Sequence, residues 1–190
     1  MSIVGIVIHN TGALIMGDSK LSNNPNRTKI RKIFKRGNIL LGFTGNVNDV
    51  RQYLFPLFNQ DMSLNKEYDF GEPDQFLWEL DNRFNYAVAN GIKYDIVFVV
   101  IIKSDLGYTA RRFCLSDNDE LKISSYTIIS NNTVQYLILG NERHIQFFDE
   151  YVSNNSPVGF GDFILAFQKT LDNGIVFDNT INNIMQYEFL

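Results

Sequence analysis

Residues 1–20 read MSIVGIVIHNTGALIMGDSK and contain two apolar runs separated by a short polar turn. The first run extends from Ile3 to Ile8 and the second from Ala13 to Met16, with Asn10-Thr11-Gly12 between them and Gly17-Asp18 after them. Short apolar runs that are bounded by turn residues are typical of buried strands. The sequence therefore predicts a buried β-hairpin at the very start of the chain.

The rest of the chain is divided into strand-like and helix-like blocks. Strands are predicted at residues 38–44, 94–102, 107–115, 122–130 and 134–139, and strand-like pieces of 175–190 lie on either side of 178–183. Apolar residues at helical spacing predict four helices, at 46–58, 73–90, 141–152 and 160–172, and the polar segment 21–28 is predicted to be a loop. Segregated blocks of this kind predict an α+β fold, a four-layer αββα sandwich of two packed, mainly antiparallel sheets with a helix pair on each outer face.

The composition indicates a folded protein. Apolar residues make up 45% of the 190 residues and charged residues 20%, which is close to the averages for globular proteins. A chain of this length forms one domain more readily than two, so residues 1–190 are predicted to be a single domain. The net charge of -4 and the shortness of every basic segment argue against nucleic acid as a partner.

Few residues suit a disulfide, a metal or a cofactor. Cys114 is the single cysteine, and His9 and His144 are the two histidines, so neither an internal disulfide nor a metal-ligand cluster is expected. Both histidines are interpreted as structural or solvated. The sequence has no phosphate-binding glycine loop, and its longest apolar runs are too short to cross a bilayer. We expect no cofactor, no membrane association and a cytoplasmic location.

The opening hairpin resembles that of the proteasome β subunits and the HslV-type peptidases, which belong to the N-terminal nucleophile hydrolases. Mature chains of that family begin with threonine, followed by an apolar hairpin with a glycine at its turn and an aspartate at its end. Here Ser2 takes the first position if Met1 is removed, Gly12 stands at the turn, and Asp18-Ser19-Lys20 matches the family's Asp-Ser-Arg. The resemblance implies that Ser2 is the nucleophile and that Asp18 supports the site.

A lysine beside the nucleophile is the second part of the resemblance. Lys29-Ile30-Arg31-Lys32-Ile33 is similar to the family's Lys-(Val/Leu)-x-x-(Leu/Ile) segment, whose first residue is that lysine. Lys29 is therefore the predicted active-site lysine. Lys32 is the alternative, because the preceding loop is shorter than in the family and the following hairpin is slightly longer.

Three later positions complete the implied site. Gly42-Phe43-Thr44-Gly45 is similar to the strand end whose glycine amide forms the oxyanion hole, a role that falls to Gly45. Ile138-Leu139-Gly140-Asn141 resembles the family's Gly-Ser-Gly segment, and Asp178 takes the place of a later supporting aspartate. The sequence departs from the family pattern in two places: Asn141 replaces a serine, and Ile181-Asn182-Asn183 replaces Ser-Gly-Gly.

These residue types suit acyl transfer. An N-terminal serine carries a hydroxyl nucleophile together with an α-amino group, whose ordinary pKa of about 7.7–8 leaves it partly neutral at pH 7 and able to accept the hydroxyl proton. A lysine near Ser2 lowers the cost of a developing alkoxide and keeps the amine neutral, and Asp18 holds the lysine ammonium in place. The N–H of Gly45 can stabilise the tetrahedral oxyanion.

The predicted function is hydrolysis of peptide or other amide bonds by Ser2 after removal of Met1. The resemblance also implies that identical copies assemble into a ring, and that a separate ATPase unfoldase is needed if folded proteins are substrates. Two alternatives remain open. One is a catalytically inactive proteasome-like subunit with a structural or binding role, favoured by the replaced serines, and the other is an amidase for a small molecule.

Overall fold

The computed structural model describes residues 2–20, 30–54, 72–116 and 123–190. Within these ranges the chain forms nine strands and four helices. They are, in chain order, β1 (Val4–His9), β2 (Gly12–Asp18), β3 (Ile33–Arg36), β4 (Ile39–Gly45), α1 (Val47–Leu54), α2 (Pro73–Ala89), β5 (Ile96–Ser104), β6 (Gly107–Cys114), β7 (Ser124–Ile129), β8 (Gln135–Leu139), α3 (Glu142–Asn155), α4 (Phe160–Gly174) and β9 (Met185–Phe189). This arrangement confirms the predicted α+β class.

The strands form two antiparallel sheets. One has the strand order β8-β1-β2-β9 and the other the order β3-β4-β5-β6-β7. The hairpin of β1 and β2 occupies the centre of the four-stranded sheet, where Val4 pairs with Gly17 on one side and with Leu139 on the other. Nearly every residue of these two strands is buried, which explains why the hairpin reads as continuous apolar runs instead of an alternating pattern.

Three hydrophobic clusters define the order of the layers. The first joins α1 and α2 to the five-stranded sheet and includes Phe76, Phe84 and Phe98. The second lies between the two sheets and contains residues of β1, β2, β4, β5 and β6. The third joins the four-stranded sheet to α3 and α4 and includes Phe148 and Phe167. The chain is thus an αββα sandwich, as predicted.

The helices begin where the sequence supplies a cap or a proline. Asn46 Oδ1 accepts a hydrogen bond from Asn48 N at 2.9 Å at the start of α1, and Pro73 occupies the first turn of α2. Asn141 caps α3, with its Oδ1 accepting from His144 N at 3.0 Å. Each device satisfies or removes a backbone donor that the first helical turn would leave unpaired.

The end of the chain differs from the prediction. Residues 175–177 were expected to be strand-like, but their backbone continues the helical turns of α4, with Ile175 N donating to Leu171 O and Val176 N to Asn173 O. Local hydrogen bonding to the end of α4 therefore overrides the β-branched character of this segment. The predicted loop 21–28, the last residues of the predicted first helix at 55–58, and Lys122 lie outside the described residues.

Candidate active site

A buried ion pair stands next to Ser2. Lys32 Nζ lies 2.9 Å from each carboxylate oxygen of Asp18 and 2.7 Å from Ser2 Oγ. The side chains of Lys32 and Asp18 are 2% and 0% exposed, and Ser2 is also buried. An ammonium group has three N–H donors, and these three acceptors can engage all of them.

The backbone fixes the Asp18 carboxylate from its other side. Its Oδ1 accepts from Ile3 N at 3.0 Å, and its Oδ2 accepts from Lys20 N at 2.9 Å. Asp18 N in turn donates to Ile3 O at 3.2 Å. Since two ionised oxygens have about four acceptor sites, the two backbone donors and Lys32 leave the carboxylate little freedom to turn.

Burial lowers the pKa of Lys32 from its ordinary value, and the neighbouring Asp18 carboxylate offsets part of this effect through its charge and its hydrogen bonds. Asp178 raises the pKa of Lys32 as well, by charge alone. The two carboxylates thus favour the ammonium form against the cost of burial. A positive charge beside Ser2 Oγ would stabilise an alkoxide on that oxygen.

The lysine that contacts Ser2 within the described part of the chain is Lys32, the alternative from the sequence. Lys29, the first choice, lies outside the described residues. The Lys32 backbone is held on both sides, because its N–H donates to Gln186 Oε1 at 3.0 Å and its carbonyl accepts from Phe43 N at 3.3 Å. The difference in loop and hairpin lengths was the sequence signal that pointed to this residue.

Gly45 ends β4 in a conformation that requires glycine. Its φ is 107°, and a Cβ atom there would lie 2.1 Å from Asp95 O, far inside contact distance. In the β3–β4 pairing Ile33 lies opposite Gly42, so Lys32, which precedes β3, and Gly45 lie at the same end of these two strands. The role of Gly45 in the oxyanion hole remains a prediction.

A second polar cluster follows β8. Val4 pairs with Leu139 in the antiparallel β1–β8 ladder. Two residues further along each segment, the same register directs Asn141 towards Ser2. The Asn141 Nδ2 donates to Asp178 Oδ2 at 3.1 Å. The structure therefore brings together Asn141 and Asp178, which lie 37 residues apart in the chain.

Asn182, which stands where the family has a glycine, ties the segment after α4 to the end of β2. Its Oδ1 accepts from Ser19 N at 3.1 Å, and its Nδ2 lies 3.2 Å from Ser19 Oγ. Lys20 Nζ donates to the carbonyl of Asn179 in the same segment. This departure from the family pattern therefore supplies structural contacts beside the Asp18 site.

His144 is a member of the second cluster that the sequence did not identify as functional. Its side chain is 0% exposed, so it is not solvated, and its Nε2 lies 3.4 Å from Asp178 Oδ2. Burial lowers the pKa of His144, while the charge of Asp178 partly offsets the shift. The available sequence signal was the position of His144 three residues after Asn141, the residue that caps α3. Side chains in a helix tilt towards its N-terminus, so a residue in the first turn is directed back towards the cap.

Neither a metal centre nor a membrane span can be assigned to the described residues. Within them, no group of three or more histidine, cysteine, aspartate and glutamate side chains could hold a metal ion. The helices in the same ranges lack the combined length and apolar character of a transmembrane span.

The described residues form two antiparallel sheets between helix pairs, which is a proteasome-like fold. Among solved structures, the chain is similar to Anbu (ancestral beta-subunit) from Yersinia bercovieri, with a TM-score of 0.64 and 10% identity over 98% of this chain and 81% of the other. It is also similar to eukaryotic HslV from Trypanosoma brucei, with a TM-score of 0.61 and 12% identity over 99% of this chain and 98% of the other. Identities this low establish the fold alone. No family model matches the sequence, and no curated protein matches it by sequence.

Proposed function

We propose that this protein is an N-terminal serine hydrolase, which cleaves peptide or other amide bonds by acyl transfer after removal of Met1 makes Ser2 the first residue. The observation that carries the proposal is the 2.7 Å distance from Ser2 Oγ to Lys32 Nζ, within a buried ion pair to Asp18. A buried cation on a serine hydroxyl is costly to build, and it suits a hydroxyl that must become an alkoxide.

The protonation state of Lys32 indicates which group acts as the general base. Because the three N–H groups of the Lys32 ammonium can all be engaged by Ser2 Oγ and Asp18, the charged Lys32 acts as an electrostatic support. The hydroxyl proton of Ser2 then passes to the residue's own α-amino group, directly or through water. Oγ attacks the carbonyl carbon, the tetrahedral intermediate collapses to an ester, and the leaving amine departs with the proton. Water then hydrolyses the ester and regenerates Ser2.

The tetrahedral intermediates need a donor for their oxyanion. Gly45, at the end of β4, is the proposed donor, because Gly42-Phe43-Thr44-Gly45 resembles the strand end that supplies the oxyanion-hole amide. Losing one such donor typically costs about 10²- to 10³-fold in rate.

The proposal includes assembly of the chain with copies of itself, as an expectation from the resemblance, with peptides or unfolded proteins as substrates. The chamber of a ring would keep folded proteins away from Ser2, so folded substrates would need a separate ATPase unfoldase. The proposed location is cytoplasmic.

A second candidate is a catalytically inactive subunit with a structural or binding role. It is favoured by Asn141, whose side chain caps α3 through His144 N and holds Asp178, and so already has a complete structural use. A small-molecule amidase is the remaining alternative, since the same fold supports different chemistries.

Covalent labelling tests the proposal. The wild-type protein is incubated with a β-lactone that acylates hydroxyl nucleophiles, and the modified peptide is located by mass spectrometry. We expect one adduct, on Ser2, that disappears in Ser2→Ala. Ser153→Ala, which removes an exposed serine of α3, is the matched control and should be labelled like wild type. Wild-type protein with a free Ser2 amine that is neither labelled nor able to cleave peptides would establish the inactive candidate.

A further inference from the structure

The His144 ring is buried beside the Asp178 carboxylate, so a positive charge on the ring would act directly on that carboxylate. Neither of its nitrogens has a hydrogen-bond partner among the described residues. The ring lies against Phe177, with centroids 5.3 Å apart. A Cβ atom placed on Gly140 would lie 3.4 Å from His144 Nδ1 and 3.5 Å from Ile3 Cγ1. The imidazole is therefore close to the residue that follows Ser2.

Asp178 connects this ring to the ion pair at Ser2. Its Oδ2 accepts from Asn141 at 3.1 Å and lies 3.4 Å from His144 Nε2. Its negative charge acts on Lys32 and His144 alike. Asp178 and Asp18 are the carboxylates whose charge raises the pKa of His144. The Arg143 guanidinium lies 5.0 Å from the ring centroid of Phe177, the aromatic side chain that contacts His144.

We propose that His144 is a positioning residue that acts through Asp178 and makes the Ser2 site sensitive to acid. Neutral His144 leaves Asp178 Oδ2 to Asn141. Protonated His144 pairs with that oxygen in competition with the Asn141 side chain, which also caps α3, and so disturbs the segment after β8 that continues the β1–β8 pairing towards Ser2. This inference rests on the proposed hydrolase function, and proton uptake by His144 is its only chemical step.

The pH profile of Ser2 labelling distinguishes this role from a structural one. Protonation of the Ser2 amine alone gives a slope of about one when the logarithm of the labelling rate is plotted against pH in acid, and a second inactivating proton raises the slope to about two. We expect the steeper slope in wild type and a slope of about one in His144→Gln. His9→Gln, which removes the other histidine, should keep the wild-type profile. Identical profiles for wild type and His144→Gln overturn the inference.

A second measurement separates failure of this inference from failure of the hydrolase proposal. The ring of His144 can be titrated by NMR in histidine-labelled protein, with His9→Gln to assign the two signals. Since Asp178 favours the charged ring, Asp178→Asn should move the His144 titration to lower pH. An unmoved titration overturns the inference whatever the activity. If no variant is labelled at any pH, the hydrolase proposal fails and the acid-sensitive role of His144 fails with it, while a shifted titration would still establish the pairing with Asp178.

Discussion

Lys32 shows how a single residue links folding to the proposed chemistry. Its ammonium is buried and engages both oxygens of Asp18, an arrangement in which the desolvation of two charges consumes much of their attraction. Such a pair contributes little to stability compared with an apolar replacement of both partners. The pair fixes the position of a cation beside Ser2 Oγ. Removal of only one partner would leave an uncompensated buried charge and so lower the free energy of unfolding.

Removal of the cation should destabilise the protein. Lys32→Met leaves the Asp18 carboxylate buried without its cation, and we expect the free energy of unfolding to fall by about 3–5 kcal/mol. Lys35→Met, at an exposed position of the strand β3 that follows Lys32, should cost less than about 1 kcal/mol. Urea unfolding measures both variants, and equal losses would contradict the buried-pair account.

Acid should weaken the fold through His144. Burial lowers its pKa below the ordinary value of 6.5, so the unfolded chain binds a proton at a pH where the folded chain does not. The contribution of this residue to stability is therefore complete above about pH 6.5 and is lost as the pH falls through the folded pKa, with a slope of up to about 1.4 kcal/mol per pH unit. We expect the free energy of unfolding to depend less on pH between 7 and 5 in His144→Gln than in wild type. An unchanged dependence would contradict a depressed pKa.

At the scale of elements, the sequence predicted the hairpin, the helices and most strands because their apolar patterns are local. It could not predict which side chains meet across layers. The choice between Lys29 and Lys32 depends on the register of β3 against β4, and the burial of His144 depends on the packing of α3 beside the segment after α4. Neither the register of β3 against β4 nor the packing of α3 produces a periodic pattern in the sequence. The expected strand at 175–177 was wrong because hydrogen bonds to α4 decide that segment.

The backbone geometry at the end of β4 predicts that only glycine is tolerated at position 45. In Gly45→Ala a Cβ would lie 2.1 Å from Asp95 O at a φ of 107°, and we expect a loss of more than about 3 kcal/mol in the free energy of unfolding or failure to fold. Gly37→Ala is the matched variant: its φ is 52° and its Cβ would meet no atom within 4 Å, so the cost should be about 1–2 kcal/mol. Thermal unfolding compares them, and a Gly45→Ala protein as stable as Gly37→Ala would contradict the geometry.

At the scale of the whole molecule, the two sheets bring the beginning and the end of the chain to one site. The central hairpin supplies Asp18, the residue before β3 of the five-stranded sheet is Lys32, and the segment after α4 supplies Asp178. The site thus depends on contact between layers, and it cannot form in an isolated element. The similarity to Anbu and HslV concerns this layered arrangement.

Assembly belongs to the same scale. If the chain forms a ring of copies, sedimentation should give a mass that is a multiple of 21.9 kDa, and it should do so equally for Ser2→Ala, because Ser2 is buried within the chain. A single 21.9 kDa species at micromolar concentration would contradict the ring and favour the small-molecule amidase.

The chemical state of the first residue tests the central claim most directly. The N-terminal peptide of purified protein is analysed by mass spectrometry before and after incubation with the β-lactone. The account predicts a peptide that begins at Ser2 with a free amine and gains one acyl group on its hydroxyl. A peptide that retains Met1 and remains unmodified would contradict it, because the Ser2 nitrogen would then be an amide that cannot accept the hydroxyl proton.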